Sequence, residues 1–380
     1  MDAIYISRDD PHDIGSWSGT TYCMARALEA AGFRLSYVGP LRHRLPLWYK
    51  IKGRLVRMRG WDYNSLGEPA VLKSYARQAE RRLRGLPGRI LLSCGKPHLV
   101  HLQTDLPIIF YDDASVPALL SLYPHHTNPH PRIRQNLFAA EQRVLEKCLY
   151  ACYFSDWAVE AALAAYGQRF ASKIKVIPIG ANIENLPDES ELPRLLQARR
   201  RADCQLLFVG VDWHRKGGAI AVAVASELQA RGIPVRLDLV GCVPPVVVPE
   251  FVRVHGFVSQ RTPEGKARLD RLYRESHFFL LPTQAEAYGV VFVEACAYGL
   301  PSLGCRVGGV STIIRDGVNG WLFPPEAPAK QYADRIEQLW RARDLYESVC
   351  AAAFREAQTR LSWKRFGQTV YSLARNANLI

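Results

Sequence analysis

The sequence has 380 residues, 48% hydrophobic and 22% charged, the make-up of a globular chain of about two domains rather than of a disordered or collagenous one. No apolar run reaches the ~18–20 residues of a spanning helix, the start MDAIYISRDD lacks the basic and apolar regions of a secretory signal, and the nine cysteines stand apart with no CxxC pair. An integral membrane protein, a disulfide scaffold and a zinc ribbon are therefore set aside, and free thiols in a reducing cytoplasm are expected. The net charge is +13, and 13 Lys+Arg against three acids (Asp62, Glu68, Glu80) place +10 of it between Arg42 and Arg89. So local a charge points to a specific partner rather than to a coat for nucleic acid.

Short apolar strands alternate with helical patterns along the chain, which predicts parallel α/β architecture. Strands are expected at Ala3–Ser7, Leu35–Val38, Leu99–Leu102, Ile108–Tyr111, Ala151–Phe154 and Lys175–Pro178, with helices over about Thr20–Ala31 and Ile133–Tyr150. A polar, proline-bearing stretch then interrupts the alternation. It restarts with strand Gln205–Val209, helix Ala219–Arg231, strands Arg236–Val240 and Val252–His255, helix Gly265–Glu275, strand Phe278–Leu281, helix Val290–Tyr298 and strand Pro301–Leu303, followed by helices. The expected organisation is a domain over 1–185, a linker over 186–201, a second domain over 202–362, and a tail over 363–380. Both domains are expected to be doubly wound, with a cleft between them.

Two loops of the second half carry the chemistry. In Pro282-Thr-Gln-Ala-Glu286-Ala-Tyr288-Gly289-Val290-Val291-Phe-Val-Glu294, a strand ends, Glu286 sits in the loop and Gly289 opens a helix whose free N–H groups suit an anion such as a diphosphate. Glu294 lies one turn inside an otherwise apolar helix, where a carboxylate needs partners; vicinal ribose hydroxyls are one such partner. The plainer alternative is an exposed Glu294 and a capping Glu286. In Leu207-Phe-Val-Gly210-Val211-Asp-Trp-His-Arg215-Lys216-Gly217-Gly218, a glycine turn with adjacent cations precedes a helix, as in a diphosphate clamp.

The run Glu286-x7-Glu294 with Gly299-Leu-Pro301, Gly308-Gly309 and Asp316-Gly-Val-Asn-Gly-Trp-Leu-Phe resembles glycosyltransferase family 4, most strongly from about Leu206 to Pro325. The resemblance implies an α/β GT-B fold, with two Rossmann-like doubly wound domains facing a central cleft, and a retaining, metal-independent transfer from a UDP- or GDP-linked sugar to an acceptor hydroxyl. It assigns Glu294 to the ribose and Glu286 to the transferred sugar. Backbone N–H groups of Tyr288, Gly289, Val290 and Val291 would meet sugar and phosphate, Gly256, Phe257 and Val258 would border the base, and Gly210 would belong to the donor-binding turn after the strand Gln205–Val209. Lys216 matches the family's lysine, whereas Val211 stands where its arginine belongs. Arg215 substitutes from the neighbouring position or remains a solvated surface charge. Gly15 and Ser16 match the family's glycine-rich loop of the first domain, with Ser18-Gly19 a competing register. No cofactor or metal is implied. The competing readings are a GT-B-fold sugar-nucleotide epimerase or hydrolase, or a non-catalytic nucleotide-sugar-binding protein.

Asp113, after the strand ending at Tyr111, is the candidate for orienting the acceptor hydroxyl, against an equally ordinary role as a helix cap. His125, His126 and His130 lie in a Pro/Asn turn without matching carboxylates and make a poor metal site. From Arg42 to Trp61, seven cations interleave with Leu47, Trp48, Ile51, Leu55 and Met58 at helical spacing. This stretch either lies on an anionic membrane, packs its apolar face on its own domain, or meets an anionic acceptor. The charge points to an anionic or lipid-linked acceptor, in polysaccharide, glycolipid or glycoconjugate synthesis. The expected location is the cytoplasm or its membrane face, and no nucleic-acid partner is expected.

Overall fold

The computed structural model describes residues 1–123 and 127–377, which divide into two compact units, Met1–Pro178 with the segment from Trp363 onward, and Ile179–Ser362. In the first unit, strands β1 (Asp2–Ser7), β2 (Arg34–Val38), β3 (Leu91–Cys94), β4 (Ile108–Asp112), β5 (Tyr150–Tyr153) and β6 (Ile174–Val176) form a sheet of order β2-β1-β3-β4-β5-β6. Every pairing is parallel, with Tyr5 opposite both Tyr37 and Leu92. The central strands are buried on both faces and so read as continuous apolar runs. The helix Trp363–Asn376 belongs to this unit: Gly367 lies so close to helix Thr20–Ala30 that an added Cβ would stand 2.3 Å from the Ala27 carbonyl oxygen.

The second unit repeats the plan with β7 (Cys204–Val209), β8 (Val235–Val240), β9 (Val252–Gly256), β10 (Phe278–Leu281), β11 (Ser302–Cys305) and β12 (Gly320–Phe323), in the order β12-β11-β10-β7-β8-β9 and parallel throughout. Reversal of strand order at β7/β10 places the loops after those two strands side by side, where open α/β sheets hold their ligands. Between the units' sheets in sequence, residues 186–201 include a helix, Leu192–Ala198, that ends at Arg199. The Arg199 side chain is fully buried and donates to the carbonyls of Tyr273, Arg274, Tyr298 and Gly299.

Three expectations change. Leu99–Leu102 is a turn, closed by Leu99 N–H donating to Lys96 O and Leu102 N–H donating to Leu99 O, and the strand is Leu91–Cys94 instead. Gly320–Phe323 is a strand that the pattern did not announce. The basic stretch forms a helix, Leu47–Met58, but its apolar stripe does not pack on its own unit: Leu47, Trp48, Ile51, Leu55 and Met58 are 53–76% exposed, while Tyr49 and Gly53 are buried. Among the described residues, no helix is long and apolar enough to cross a membrane.

Candidate functional site

The site is built on strand ends. After β7 the chain turns through Gly210, whose N–H donates to Val240 O, and Gly241 donates to Gly256 O, tying the carboxyl ends of β7, β8 and β9 together. Gly241, at φ +102°, would carry a Cβ 2.6 Å from the Gly210 carbonyl oxygen, so no side chain fits there. Gly217 is tighter still, with φ +77° and a Cβ position 2.1 Å from Pro282 O. That contact presses the loop after β7 against the loop after β10 and brings Lys216 to Glu286.

Lys216 Nζ donates to Glu286 Oε2 in a nearly buried ion pair. The loop beneath is braced on every side. Arg215 donates from its guanidinium to Ala285 O (3.0 Å) and faces Asp212, Gln284 N–H donates to Arg215 O (2.7 Å), and Gly309 N–H donates to Glu286 O (3.2 Å). Arg215 thus holds the loop that carries Glu286, while Val211 stands 66% exposed beside it. Gly289 takes the left-handed conformation at the head of helix Val290–Ala297, which has no side-chain cap. The helix's first amides therefore offer their partial positive charge beside Glu286.

Glu294, one turn inside that helix, is buried. Its Oε2 accepts from Tyr273 Oη at 2.9 Å and its carboxylate also accepts from the Asn182 backbone N–H. Burial outweighs both bonds and pushes the carboxyl up to about 7. Of the two readings of this residue, the exposed one is wrong. Tyr273 and Asn182 went unrecognised: Tyr273 stands in an amphipathic helix with no motif about it, and Asn182 in a stretch without periodicity. The Tyr288 side chain is anchored within the unit: its hydroxyl donates to Ile179 O and accepts from Ile179 N–H, both at 3.0 Å. Gly256 ends β9 with φ +63°, followed by an exposed Phe257 and a half-buried Val258.

The Asp316–Phe323 run is architecture. Asp316 accepts from Leu322 N–H, Asn319 accepts from Arg315 N–H, and a Cβ on Gly320 would stand 2.2 Å from Ser302 O. These residues turn the chain into β12 and touch none of Lys216, Glu286 or Glu294 in the contacts above.

In the first unit, β4 ends in Asp112, with Asp113 next. Asp113 does not cap the following helix, Val116–Leu122, whose N-cap is Ser115. Both aspartates line a cavity of about 220 Å³ with Arg8, Asp9, Trp17 and Lys96. Lys96 pairs with Asp112 (2.7 Å) and the buried Glu141 (2.9 Å), and these carboxylates hold its ammonium well above the usual lysine range despite burial. Glu141 also accepts from Tyr153, Tyr166 and the Val116 N–H. Gly15 and Ser16 are tied to Asp13, and the next three residues, Trp17, Ser18 and Gly19, all take left-handed φ (47°, 55°, 89°) before helix Thr20–Ala30 begins. Two consecutive non-glycine residues in that region carry strain. His125 and His126 lie outside the described residues; His130 caps helix Pro131–Lys147. None of the nine cysteines is in a disulfide. Among the described residues, no His/Cys/Asp/Glu group is disposed to hold a metal.

Two parallel α/β units of this construction are a GT-B fold. Sucrose-phosphate synthase from Thermosynechococcus elongatus superimposes with a TM-score of 0.72 at 16% identity, covering 100% of this chain and 99% of that one. The Anabaena protein HepE, in complex with UDP and glucose, does so at 0.63 and 16%, covering 98% and 99%. Residues 203–342 match the family model for glycosyl transferases group 1. A D-inositol 3-phosphate glycosyltransferase from Nocardiopsis dassonvillei is 30% identical over 218 residues, 53% of this chain and 49% of the relative. The chain spans about half to three fifths of the length of this and two further D-inositol 3-phosphate glycosyltransferases that it matches.

Proposed function

We propose that the chain is a retaining glycosyltransferase of family 4 type, moving a sugar from a UDP- or GDP-linked donor to an acceptor hydroxyl. The observation that carries this reading is the juxtaposition, at the ends of β7 and β10, of the Lys216–Glu286 pair, the uncapped amides after Gly289 and the buried Glu294. A nucleoside diphosphate needs positive charge along its phosphates and an acceptor for its ribose hydroxyls; Lys216 and the amides supply the first and Glu294 the second.

In this reading the diphosphate takes over Lys216, and Glu286, released from the pair, accepts from hydroxyls of the transferred sugar. The acceptor oxygen attacks the anomeric carbon from the face the nucleotide leaves, the glycosidic bond to phosphate breaks, and the acceptor's proton passes to the departing phosphate oxygen. Lys216 and the helix amides stabilise the charge that develops there, and no metal is called for in this scheme. Arg215 acts through the loop it braces, and the role of the family's arginine at Val211 falls to Lys216 and the amides. Asp113 and the cavity beside it hold the acceptor.

Titration calorimetry with UDP, GDP and their hexose conjugates tests donor binding; the nucleotide complex of a neighbour with this fold makes uridine conjugates the first probes. Product analysis with and without an added hydroxyl acceptor tests transfer. Binding with acceptor-dependent loss of donor supports the reading. Release of free sugar or an epimerised nucleotide-sugar without acceptor replaces it with a hydrolase or epimerase, and the absence of any nucleotide binding overturns the site.

A further inference from the structure

Helix Leu47–Met58 in the first unit has two apolar sides, and only one is used. The inner side is Tyr49, Gly53 and the half-buried Val56. Gly53 sits so close to the Tyr63 ring that a Cβ would stand 2.7 Å from it, and Lys52 Nζ reaches the buried Glu68 carboxylate at 2.6 Å. The helix is therefore seated, and its orientation is set. At about 100° per residue, Leu47, Met58, Ile51, Leu55 and Trp48 then fall within an arc of about 100° on the opposite side. All five are more than half exposed.

Charge borders that arc. Arg54, Lys50 and Arg57 run along one edge, Lys52 lies at the other, and Arg42, Arg44 and Arg59 flank the helix ends, with no acidic residue from Arg42 to Trp61. A polyanion such as nucleic acid would answer the cations but leave five apolar side chains in water. A second copy of the chain would bury the apolar arc but set like charge against like charge. A bilayer with anionic headgroups answers both, because acyl chains take the arc and headgroups take the cations along its edges. Trp48 adds an amphipathic ring of the kind that settles at headgroup depth.

We propose that helix Leu47–Met58 is a membrane-docking surface that lies in the plane of an anionic bilayer, apolar arc inward. This surface is separate from the nucleotide site, so the proposal stands or falls independently of the glycosyl-transfer reading. It makes the protein peripheral, and it places hydroxyl acceptors carried on lipids within the plane the helix occupies.

The test is co-sedimentation of the full chain with vesicles of phosphatidylcholine alone and of phosphatidylcholine mixed with phosphatidylglycerol, at low and high salt. Two variants accompany the parent, Ile51→Ser with Leu55→Ser and Arg54→Gln with Arg57→Gln; all four positions are exposed. Far-UV circular dichroism and thermal unfolding confirm that each variant folds. The expected result is partition onto the anionic vesicles alone, weakened by salt, reduced about thirtyfold by the charge pair, whose two cations together contribute about 2 kcal/mol, and reduced at least about tenfold by the apolar pair. No partition at low salt, or equal partition onto neutral vesicles, overturns the proposal. Loss in the charge variant with none in the apolar variant overturns it in favour of a soluble polyanion. Self-association abolished by Ile51→Ser with Leu55→Ser, without vesicle binding, overturns it in favour of a second copy.

Discussion

Replacing Glu294 by Gln should make this protein more stable and less able to bind a nucleotide. The carboxyl is buried among apolar residues of its own helix, and burial raises it from 4.5 to about 7. A folded state that holds its proton more tightly than the unfolded chain has its full stability below pH 4.5. That stability is lost as the pH climbs to about 7, and above it the ionised group costs about 3 kcal/mol. Gln cannot ionise; its carbonyl accepts from the Asn182 N–H, and the Tyr273 hydroxyl turns to accept from its NH₂. At pH 8, Glu294→Gln should therefore gain up to about 3 kcal/mol, or roughly 6–12 °C in the melting of a unit this size, and at pH 5 the two proteins should lie close together. Urea titrations across this pH range measure the difference directly. Parallel curves for parent and variant, or a variant weaker at pH 8, would refute the assignment of burial as the dominant influence on Glu294. The same variant should lose the stabilisation of about 2.7 kcal/mol that a nucleotide at ~100 times its dissociation constant gives the parent.

Lys216→Met strands Glu286 as a nearly buried lone charge and should cost about 3 kcal/mol in chemical unfolding; adding Glu286→Gln should restore most of that while transfer stays about 10²–10³-fold down. Gly217→Ala should cost well over the ~1 kcal/mol of backbone strain alone, since its Cβ would meet Pro282 O at 2.1 Å. Gly232→Ala, also at positive φ but with nothing within 4 Å, is the control in the same melting experiment and should show the strain by itself.

The parts of this molecule that were legible in its sequence are those set by neighbours in the chain. Alternation of apolar strands and helical patterns announced parallel α/β sheets, and the glycines after β7 and β10 marked loops that close on one another. Leu91–Cys94 escaped because a four-residue strand containing Ser and Cys carries less apolar signal than the turn Leu99–Leu102 eight residues on. Glu294 was readable as a carboxylate in need of partners, but not which partners, because Tyr273 and Asn182 reach it only through the fold. Helix Leu47–Met58 shows the same limit: spacing revealed an apolar stripe, whereas the choice of face rested on how Gly53 meets Tyr63. Arg215 adds a third case, since adjacency to Lys216 suggested a shared anion and the structure gives it a carbonyl in the neighbouring loop.

The place of helix Trp363–Asn376 bears on how the chain is assembled. It belongs to the first unit, where Phe366 packs on Tyr111 of β4 and Tyr371 on Phe33, although the whole second unit precedes it in the sequence. On the ribosome the first unit therefore waits, with the surface around Phe33 and Tyr111 uncovered, until this helix has been made. The second unit, contiguous from Ile179 to Ser362, has all its own parts before that helix emerges. Synthesis thus reverses the usual order in which domains mature from the N-terminus, and a chaperone attending this nascent chain would find its binding surface on the half that was made first.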